Sequence, residues 1–523
     1  MNNDTSNATG FQKHFPFFHR IVTGLFSRHL LKTAGLAILG LVTLVALFYA
    51  IENWRGARAW KQVKAELKAK GEPVTFAELV PPMPPDDENF AMTPFFKGMF
   101  DKSIDPKSGE PVWRVRQRES AVPRWYERVK DRSNWRVSQK FVFDRALFPT
   151  NLTEVEGINL ETNSMMSVVR QLLDAAQPTM EVIEAAVLKP ESQFPIHYED
   201  NASAILPHLS KLKGLSQLFS VRASLNLEAH DAAAALRDVE TTLRLSEALK
   251  DEPILISGLV HVAILNLALQ PIWQGLADGQ WSELQLIELQ RLLGRFDVLQ
   301  TQQSGIRGER ILGFDIVDMV ERNRSVGLLD QISPNSADLF GAATLAFLFP
   351  KGWLDANKVV MARLHQDYSL SAVDPQGQRY YPEKVTEYHV AIERDVLPFS
   401  TMYLAKLLLP AVGNAAVKFV LAQTDIDLAS TACTLERDKL KTGHYPETLA
   451  ALVPDYLNAV PHDVMDGQPL RYRPEGDRFV LYSIGANQID DGGRPGFTED
   501  SKGRHWRRDE GDWVWKYPDT VKP

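Results

Sequence analysis

The pattern of apolar and charged positions sets apart residues 33–51, an uncharged and largely apolar run between Lys32 and Glu52. As an α-helix this run would be about 28 Å long at 1.5 Å per residue, close to the ~30 Å hydrocarbon core of a bilayer. Phe48 and Tyr49 lie at its C-terminal end, where membrane helices often carry interfacial aromatic residues. The pattern predicts an uncleaved transmembrane helix over residues 33–51 that contacts membrane lipid.

The middle of the chain follows the helical period, with apolar residues three and four positions apart. Helix-start signals support this interpretation, because Asp231 precedes an alanine run and Ser282 stands three positions before Gln285, as in a capping box. Short turns between such helices favour antiparallel neighbours, so we expect an all-α helical bundle or repeat-like ectodomain. The predicted helices cover residues 160–185, 204–228, 231–250, 253–277, 282–299 and 301–322.

The C-terminal part mixes helix and strand. A long helix is predicted over residues 397–442, broken or kinked at Pro410 because proline lacks the backbone donor. Residues 469–473 and 478–483 alternate apolar and polar positions as a half-buried β-hairpin does, and residues 513–517 offer a third strand. These patterns predict a small α+β module of one long helix and an antiparallel hairpin.

The expected chain is therefore mainly α and has five parts. They are a cytoplasmic N-terminal tail (1–32), the transmembrane helix (33–51), a helix with a proline-rich spacer (52–89), an α-helical domain (90–396) and the α+β module (397–523).

Charge and cysteine content narrow the classes of function. The net charge of −8 and the pI near 5.9 argue against a nucleic-acid-binding protein, whose affinity depends on cations that neutralise phosphates. The single cysteine, Cys433, excludes an intramolecular disulfide and any site built from several thiolates.

Short motifs follow one another in a fixed order near the C-terminus. They are Leu435-Glu436-Arg437, Gly443-His444-Tyr445-Pro446, Asp466-Gly467-Gln468-Pro469-Leu470-Arg471-Tyr472, Leu481-Tyr482-Ser483-Ile484-Gly485-Ala486-Asn487 and Asp490-Asp491-Gly492-Gly493. In this order, within residues 405–517, they resemble the globular domain of type II secretion major pseudopilins. With Trp54-Arg55-Gly56-Ala57-Arg58-Ala59-Trp60 after the apolar run, the whole chain resembles single-span bacterial envelope proteins that join a helical ectodomain to such a module.

The pseudopilin resemblance implies a calcium site in the loop that follows Gly485. The matching candidate ligands are Asn487, Asp490 and Asp491, with Asp512 as a more distant candidate. Calcium takes about six to eight oxygen ligands, and a glycine-rich acidic turn can present several of them. The alternative is a solvated turn that binds no metal.

The chain contains no G-x-S-x-G, Walker A or G-x-G-x-x-G motif, so no catalytic residue is assigned. We expect a single-pass protein of the bacterial inner membrane, with most of the chain outside the cytoplasm. Its expected role is non-catalytic, as a protein-interaction or scaffold protein whose partners are other envelope proteins, linked to secretion machinery. The alternative is an envelope hydrolase that acts on a polymer through a carboxylate pair, for which Asp238 with Glu240 and Glu309 with Asp315 are available.

Overall fold

The computed structural model describes residues 28–104, 111–113, 135–141, 143, 164–323, 350–393, 404–405, 410–500 and 503–518. The expected cytoplasmic tail, residues 1–32, thus lies outside the described residues except for its last positions. The described chain is mainly helical, with a few small antiparallel sheets. It divides into two compact units, Met1–Ala65 with Val317–Val359, and Glu66–Ile316 with Val360–Pro523.

Helix α1, Arg28–Ala69, contains the whole predicted span and continues beyond it. The apolar side chains of the predicted span are mostly exposed, with 68% of the Leu36 surface accessible, and none of the most apolar window of α1 is buried. Among the described residues one other helix, α6 (Leu255–Ala277), is long and apolar enough to cross a membrane, but 67% of its window is buried. We conclude that α6 is a core helix, whereas α1 has the properties of a single membrane span or a signal sequence.

The end of α1 is defined by Gly71. The Glu72 N–H donates to the Leu67 carbonyl at 2.9 Å and the Gly71 N–H donates to the Lys68 carbonyl at 3.0 Å, which is the Schellman arrangement. This arrangement needs a left-handed residue, and Gly71 has φ of +72°.

A helix forms in each of the six expected ranges, although residues 160–163 lie outside the described part of the chain and the helix expected over residues 282–299 ends six residues early, at Leu293. Asp231 caps its helix by accepting the Ala234 N–H at 2.9 Å, and Ser282 forms the predicted capping box with Gln285. The helices are α3 (Met165–Ala186), α4 (Pro207–Glu228), α5 (Ala232–Glu247), α6, α7 (Glu283–Leu293) and α8 (Val298–Asn323).

The main hydrophobic core of the second unit joins helices α4–α7 to helix α11 (Pro410–Thr442) and to the C-terminal sheet. The Trp273 indole N–H of α6 donates to the Lys516 carbonyl at 3.1 Å, and the rings of Trp135 and Trp515 lie 4.8 Å apart. The helical layer and the C-terminal sheet are thus packed into one core. A further core lies between α3 and α4, where Phe96 and Phe194 pack edge to face with ring centroids 5.4 Å apart.

The predicted hairpin and its third strand form a three-stranded antiparallel sheet. Strand β6 (Arg478–Ser483) lies between β5 (Arg471–Glu475) and β9 (Trp513–Lys516), with Leu481 opposite Tyr472 and Trp515. The expectation of a half-buried hairpin is wrong for β6, which is buried on both faces. The second face is covered because Val480, Tyr482 and Val514 form their own cluster and Gly493 of the following loop approaches Val480 and Tyr482.

The remaining elements are short or connect the main ones. The hairpin of β7 (Pro495–Asp500) and β8 (Gly503–Gly511) was not expected from the sequence. The others are α2 (Phe76–Leu79), β1 (Lys102–Ile104) with β2 (Pro111–Trp113), α9 (Lys351–Leu364) with a π-helical turn at His365–Ser369, β3 (Val373–Asp374) with β4 (Arg379–Tyr380), α10 (Pro382–Glu393), and 3₁₀ turns at Phe90–Met92, Trp135–Val137, Tyr198–Ser203 and Leu449–Leu452.

Candidate functional site: a charged groove along helix α5

A groove with a cavity volume of about 460 Å³ lies between α3, α4 and α5. A second recess of about 200 Å³ continues it, because Val187, Leu188 and Arg244 line both. We call the two recesses together the α5 groove.

One face of α5 forms the floor of this groove. Ala234, Asp238, Thr241, Arg244 and Ala248 follow one another at spacings of three and four residues, so their side chains share one face of the helix. From the first to the last of them this face is about 21 Å long at 1.5 Å per residue. A trough of that length matches about six residues of extended polypeptide at roughly 3.3 Å per residue.

Arg222 of α4 ties the three helices of the groove together. Its Nε lies 2.9 Å from Asp238 Oδ1 on α5, and its Nη1 lies 3.0 Å from Gln177 Oε1 on α3. Its Nη2 also pairs with Glu184 on α3. A single guanidinium with its planar set of donors therefore fixes the relative positions of the groove walls.

Asp238 is buried, with 1% of its surface exposed. Besides Arg222, its Oδ2 accepts a hydrogen bond from Asn226 Nδ2 at 2.9 Å. Burial raises the pKa of Asp238 to about 6, although the Arg222 charge and hydrogen bonds act in the opposite direction. Both carboxylate oxygens are thus engaged by the protein itself.

The other charges of the groove are also mostly paired. Arg244 Nη2 lies 2.8 Å from Glu240 Oε1, and Arg295 Nε lies 2.8 Å from Glu247 Oε1. Arg237 is exposed, and its guanidinium has no hydrogen bond or ion pair within the described parts of the chain. The groove therefore combines a balanced set of ion pairs with one available cation and, at Leu188, an apolar side chain that is 67% exposed.

The two carboxylate pairs singled out in the sequence have different positions. Asp238 and Glu240 both line the groove, but each is already paired with an arginine. Glu309 lines a separate apolar recess of about 170 Å³, and burial raises its pKa against a hydrogen bond from the Leu255 backbone. Asp315 follows Glu309 by six positions on α8, about 240° around the helix, so these two do not face the same side.

Three of the predicted calcium ligands are linked to one another. Asn487 Nδ2 donates to Asp491 Oδ2 at 3.0 Å, and the Asp491 N–H donates to Asp512 Oδ1 at 3.2 Å. Asp512 is fully buried, and its Oδ2 also accepts the backbone N–H groups of Gly493 at 2.7 Å and Arg494 at 3.3 Å. The structure thus brings Asn487, Asp491 and Asp512 to one loop.

The fourth candidate, Asp490, points elsewhere. Its Oδ1 accepts from the Tyr482 hydroxyl at 3.1 Å and from the Gly492 N–H at 2.9 Å. Within the described residues, no three His, Cys, Asp or Glu side chains converge on a common metal position. In this arrangement the carboxylate oxygens accept hydrogen bonds from N–H groups of the same loop, so they are not arranged as calcium ligands. Calcium binding stays a prediction.

Sequence reasoning missed a second polar cavity, of about 430 Å³, beside the C-terminal sheet. There the hydroxyls of Tyr445 and Tyr517 both donate to Glu436 Oε1, at 2.6 and 2.7 Å. Burial raises the pKa of Glu436, and the two hydroxyl groups oppose that rise. No signal in the sequence links these residues, because Glu436 and Tyr517 are 81 positions apart.

Arg222 and Asn226 were missed for a similar reason. They lie 16 and 12 positions from Asp238, on a different helix, so no helical spacing connects them.

Comparisons with known proteins add no assignment, since no protein family, curated protein or solved structure matches this chain.

Proposed function

We propose that this protein is a membrane-anchored envelope protein with a non-catalytic interaction role, and that the α5 groove binds a polypeptide segment of a partner. The observation that carries the proposal is the state of Asp238, whose two oxygens are engaged by Arg222 and Asn226. Asp238 is also 1% exposed, so in this structure its carboxylate positions the walls of the groove and is not presented to a ligand as an acid or base.

The shape of the groove favours a polypeptide ligand. The trough is open along the α5 face and offers one available guanidinium at Arg237 and an exposed apolar rim at Leu188. Grooves on protein surfaces recognise peptide segments through side-chain anchors and through charge complementarity between ligand and groove. The partner segment that fits best is extended, about six residues long, with an acidic residue for Arg237 and an apolar residue for Leu188.

The cellular setting is part of the proposal. The exposed apolar surface of α1 supports a single span, and the resemblance to envelope proteins favours the bacterial inner membrane with most of the chain outside the cytoplasm. A link to secretion machinery rests on the resemblance of residues 405–517 to major pseudopilins.

Site-specific photocrosslinking in membranes tests the role of the groove. A photoreactive amino acid at Leu188, on the groove rim, is compared with the same group at Leu284, which is 79% exposed on α7. We expect a discrete adduct with another polypeptide from position 188 only, and its loss in an Arg237→Glu variant, because the reversed charge repels an acidic ligand. Equal labelling from both positions, or an adduct unaffected by Arg237→Glu, contradicts the proposal.

A further inference from the structure

Trp353 of α9 lies beside the C-terminal end of the apolar run in α1. The ring of Trp353, in the first turn of α9, packs edge to face on Phe48 of α1, with centroids 6.1 Å apart. Phe48 lies inside the apolar run, three residues before its last position, Ile51. A residue remote in sequence therefore contacts the part of α1 that an anchored protein places at the edge of the lipid.

Hydrogen bonds fix this contact. The Trp353 indole N–H donates to Glu52 Oε2 at 3.0 Å, and the Gly352 N–H donates to Asn53 Oδ1 at 2.9 Å. Glu52 and Asn53 are the first polar residues after the apolar run. Trp353 thus has its ring against an apolar neighbour and its N–H on a carboxylate one turn further along α1.

Two glycines allow the helices to approach closely. A Cβ at Gly352 would lie 1.9 Å from the Glu52 carbonyl oxygen, and one at Gly56 would lie 2.1 Å from the Gly352 carbonyl oxygen. No side chain fits at either position, so the first turn of α9 is held against the backbone of α1. The position of Trp353 relative to the apolar run is consequently fixed by backbone contact.

We propose that the start of α9, at Pro350 to Trp353, is a second membrane-contact site, which places Trp353 at the level of the lipid headgroups. Tryptophan favours this level because its ring is apolar and its N–H needs a polar partner. The partner is the lipid bilayer itself, and the inference rests on the proposed membrane anchoring of α1. It adds that residues far from the N-terminus in sequence also touch the bilayer.

Spin-label depth measurements on the full chain in phosphatidylcholine–phosphatidylglycerol vesicles test the inference. Cys433 is the single cysteine and is buried, so a Cys433→Ala background permits one label at a time. Labels go to Lys351→Cys at the proposed contact, Leu44→Cys inside the span and Lys64→Cys about 20 Å beyond the run along α1. We expect the ratio of oxygen to nickel-chelate accessibility at 351 to fall between the values at 44 and 64.

The measurement distinguishes failure of the second membrane contact from failure of the anchor itself. A value at 351 equal to that at 64, with a lipid value at 44, overturns the second contact and leaves the anchor intact. An aqueous value at 44 as well overturns the anchoring itself.

Fluorescence provides a measurement that does not need the cysteine background. Lipids brominated near the headgroup quench tryptophans at that depth, so Trp353→Phe is expected to lower the quenched fraction. Trp281→Phe, in the helical core, removes an unquenched tryptophan and is therefore expected to raise this fraction slightly. An unchanged quenched fraction in Trp353→Phe contradicts the inference.

Discussion

Arg222 and Asp238 form an ion pair between helices α4 and α5, with Arg222 Nε 2.9 Å from Asp238 Oδ1. The same guanidinium reaches Glu184 on α3, so one side chain connects three helices at the floor of the groove. The pair is largely withdrawn from water, with 18% of the Arg222 side chain and 2% of the Asp238 side chain exposed. It fixes the relative positions of the groove walls and keeps the Asp238 carboxylate engaged within the protein.

Removal of Arg222 is expected to destabilise the helical layer. Arg222→Met leaves Asp238 buried without its cationic partner, which typically costs about 3 kcal/mol in free energy of unfolding near pH 7.5. Thermal and denaturant unfolding of the full chain in detergent measures this. Arg244→Met is the matched control, since its pair with Glu240 lies on one helix and is more exposed, so we expect a change within about 0.5 kcal/mol. Equal costs for the two variants would count against the central role of Arg222.

Asp425 is predicted to make the stability of the fold depend on pH. Burial raises its pKa to about 6 from an ordinary value of 3.8, although the Arg136 guanidinium is paired with it. Between these two values the folded state binds more protons than the unfolded state, so this group stabilises the fold progressively as the pH falls from about 7 to 4. Asp425→Asn removes the titration. We expect the stability of the original protein relative to this variant to rise on acidification, and a pH-independent difference would refute the assignment.

The close approach of α1 and α9 predicts a steric effect at Gly352. Gly352→Ala places a Cβ 1.9 Å from the Glu52 carbonyl oxygen, and overpacking of this kind costs about 1–3 kcal/mol despite the better helix propensity of alanine. The control is Gly40→Ala in α1, where no atom outside the helix's own backbone lies within 4 Å of the new Cβ. Protease resistance and melting temperature in detergent should fall for the first variant and not for the second.

The hydrogen bonds around Asp512 predict that the stability of the neighbouring loop depends on this one carboxylate. Asp512→Ala leaves the N–H groups of Asp491, Gly493 and Arg494 without their acceptor, and a hydrogen bond to a charged group contributes about 1.5–3 kcal/mol. We expect a lower melting temperature for this variant in the presence of a calcium chelator. Added calcium then tests the pseudopilin resemblance. A rise in the melting temperature that Asp491→Asn abolishes supports a calcium site, and no rise leaves the loop held by Asp512 alone.

Much of the fold was predictable because it depends on local patterns. Helix periodicity located α3 to α8, and capping residues such as Asp231 and Ser282 marked two of the starts. The long-range relationships were not predictable. Arg222 meets Asp238 only because α4 and α5 pack side by side, and Trp353 meets Glu52 across 301 positions. The burial of both faces of β6 was not predictable either. A loop covers its second face, and the alternation of apolar and polar residues along a strand does not indicate contacts with a loop.

Alkaline carbonate extraction of vesicles that contain the full chain tests whether α1 anchors this protein in a membrane. We expect the protein to stay in the membrane pellet with residues 33–51 still present by mass spectrometry, and we expect Leu44→Arg to shift it toward the soluble fraction. Release of the intact protein by carbonate, or recovery of a chain that lacks residues 33–51, would show that α1 is not a membrane anchor.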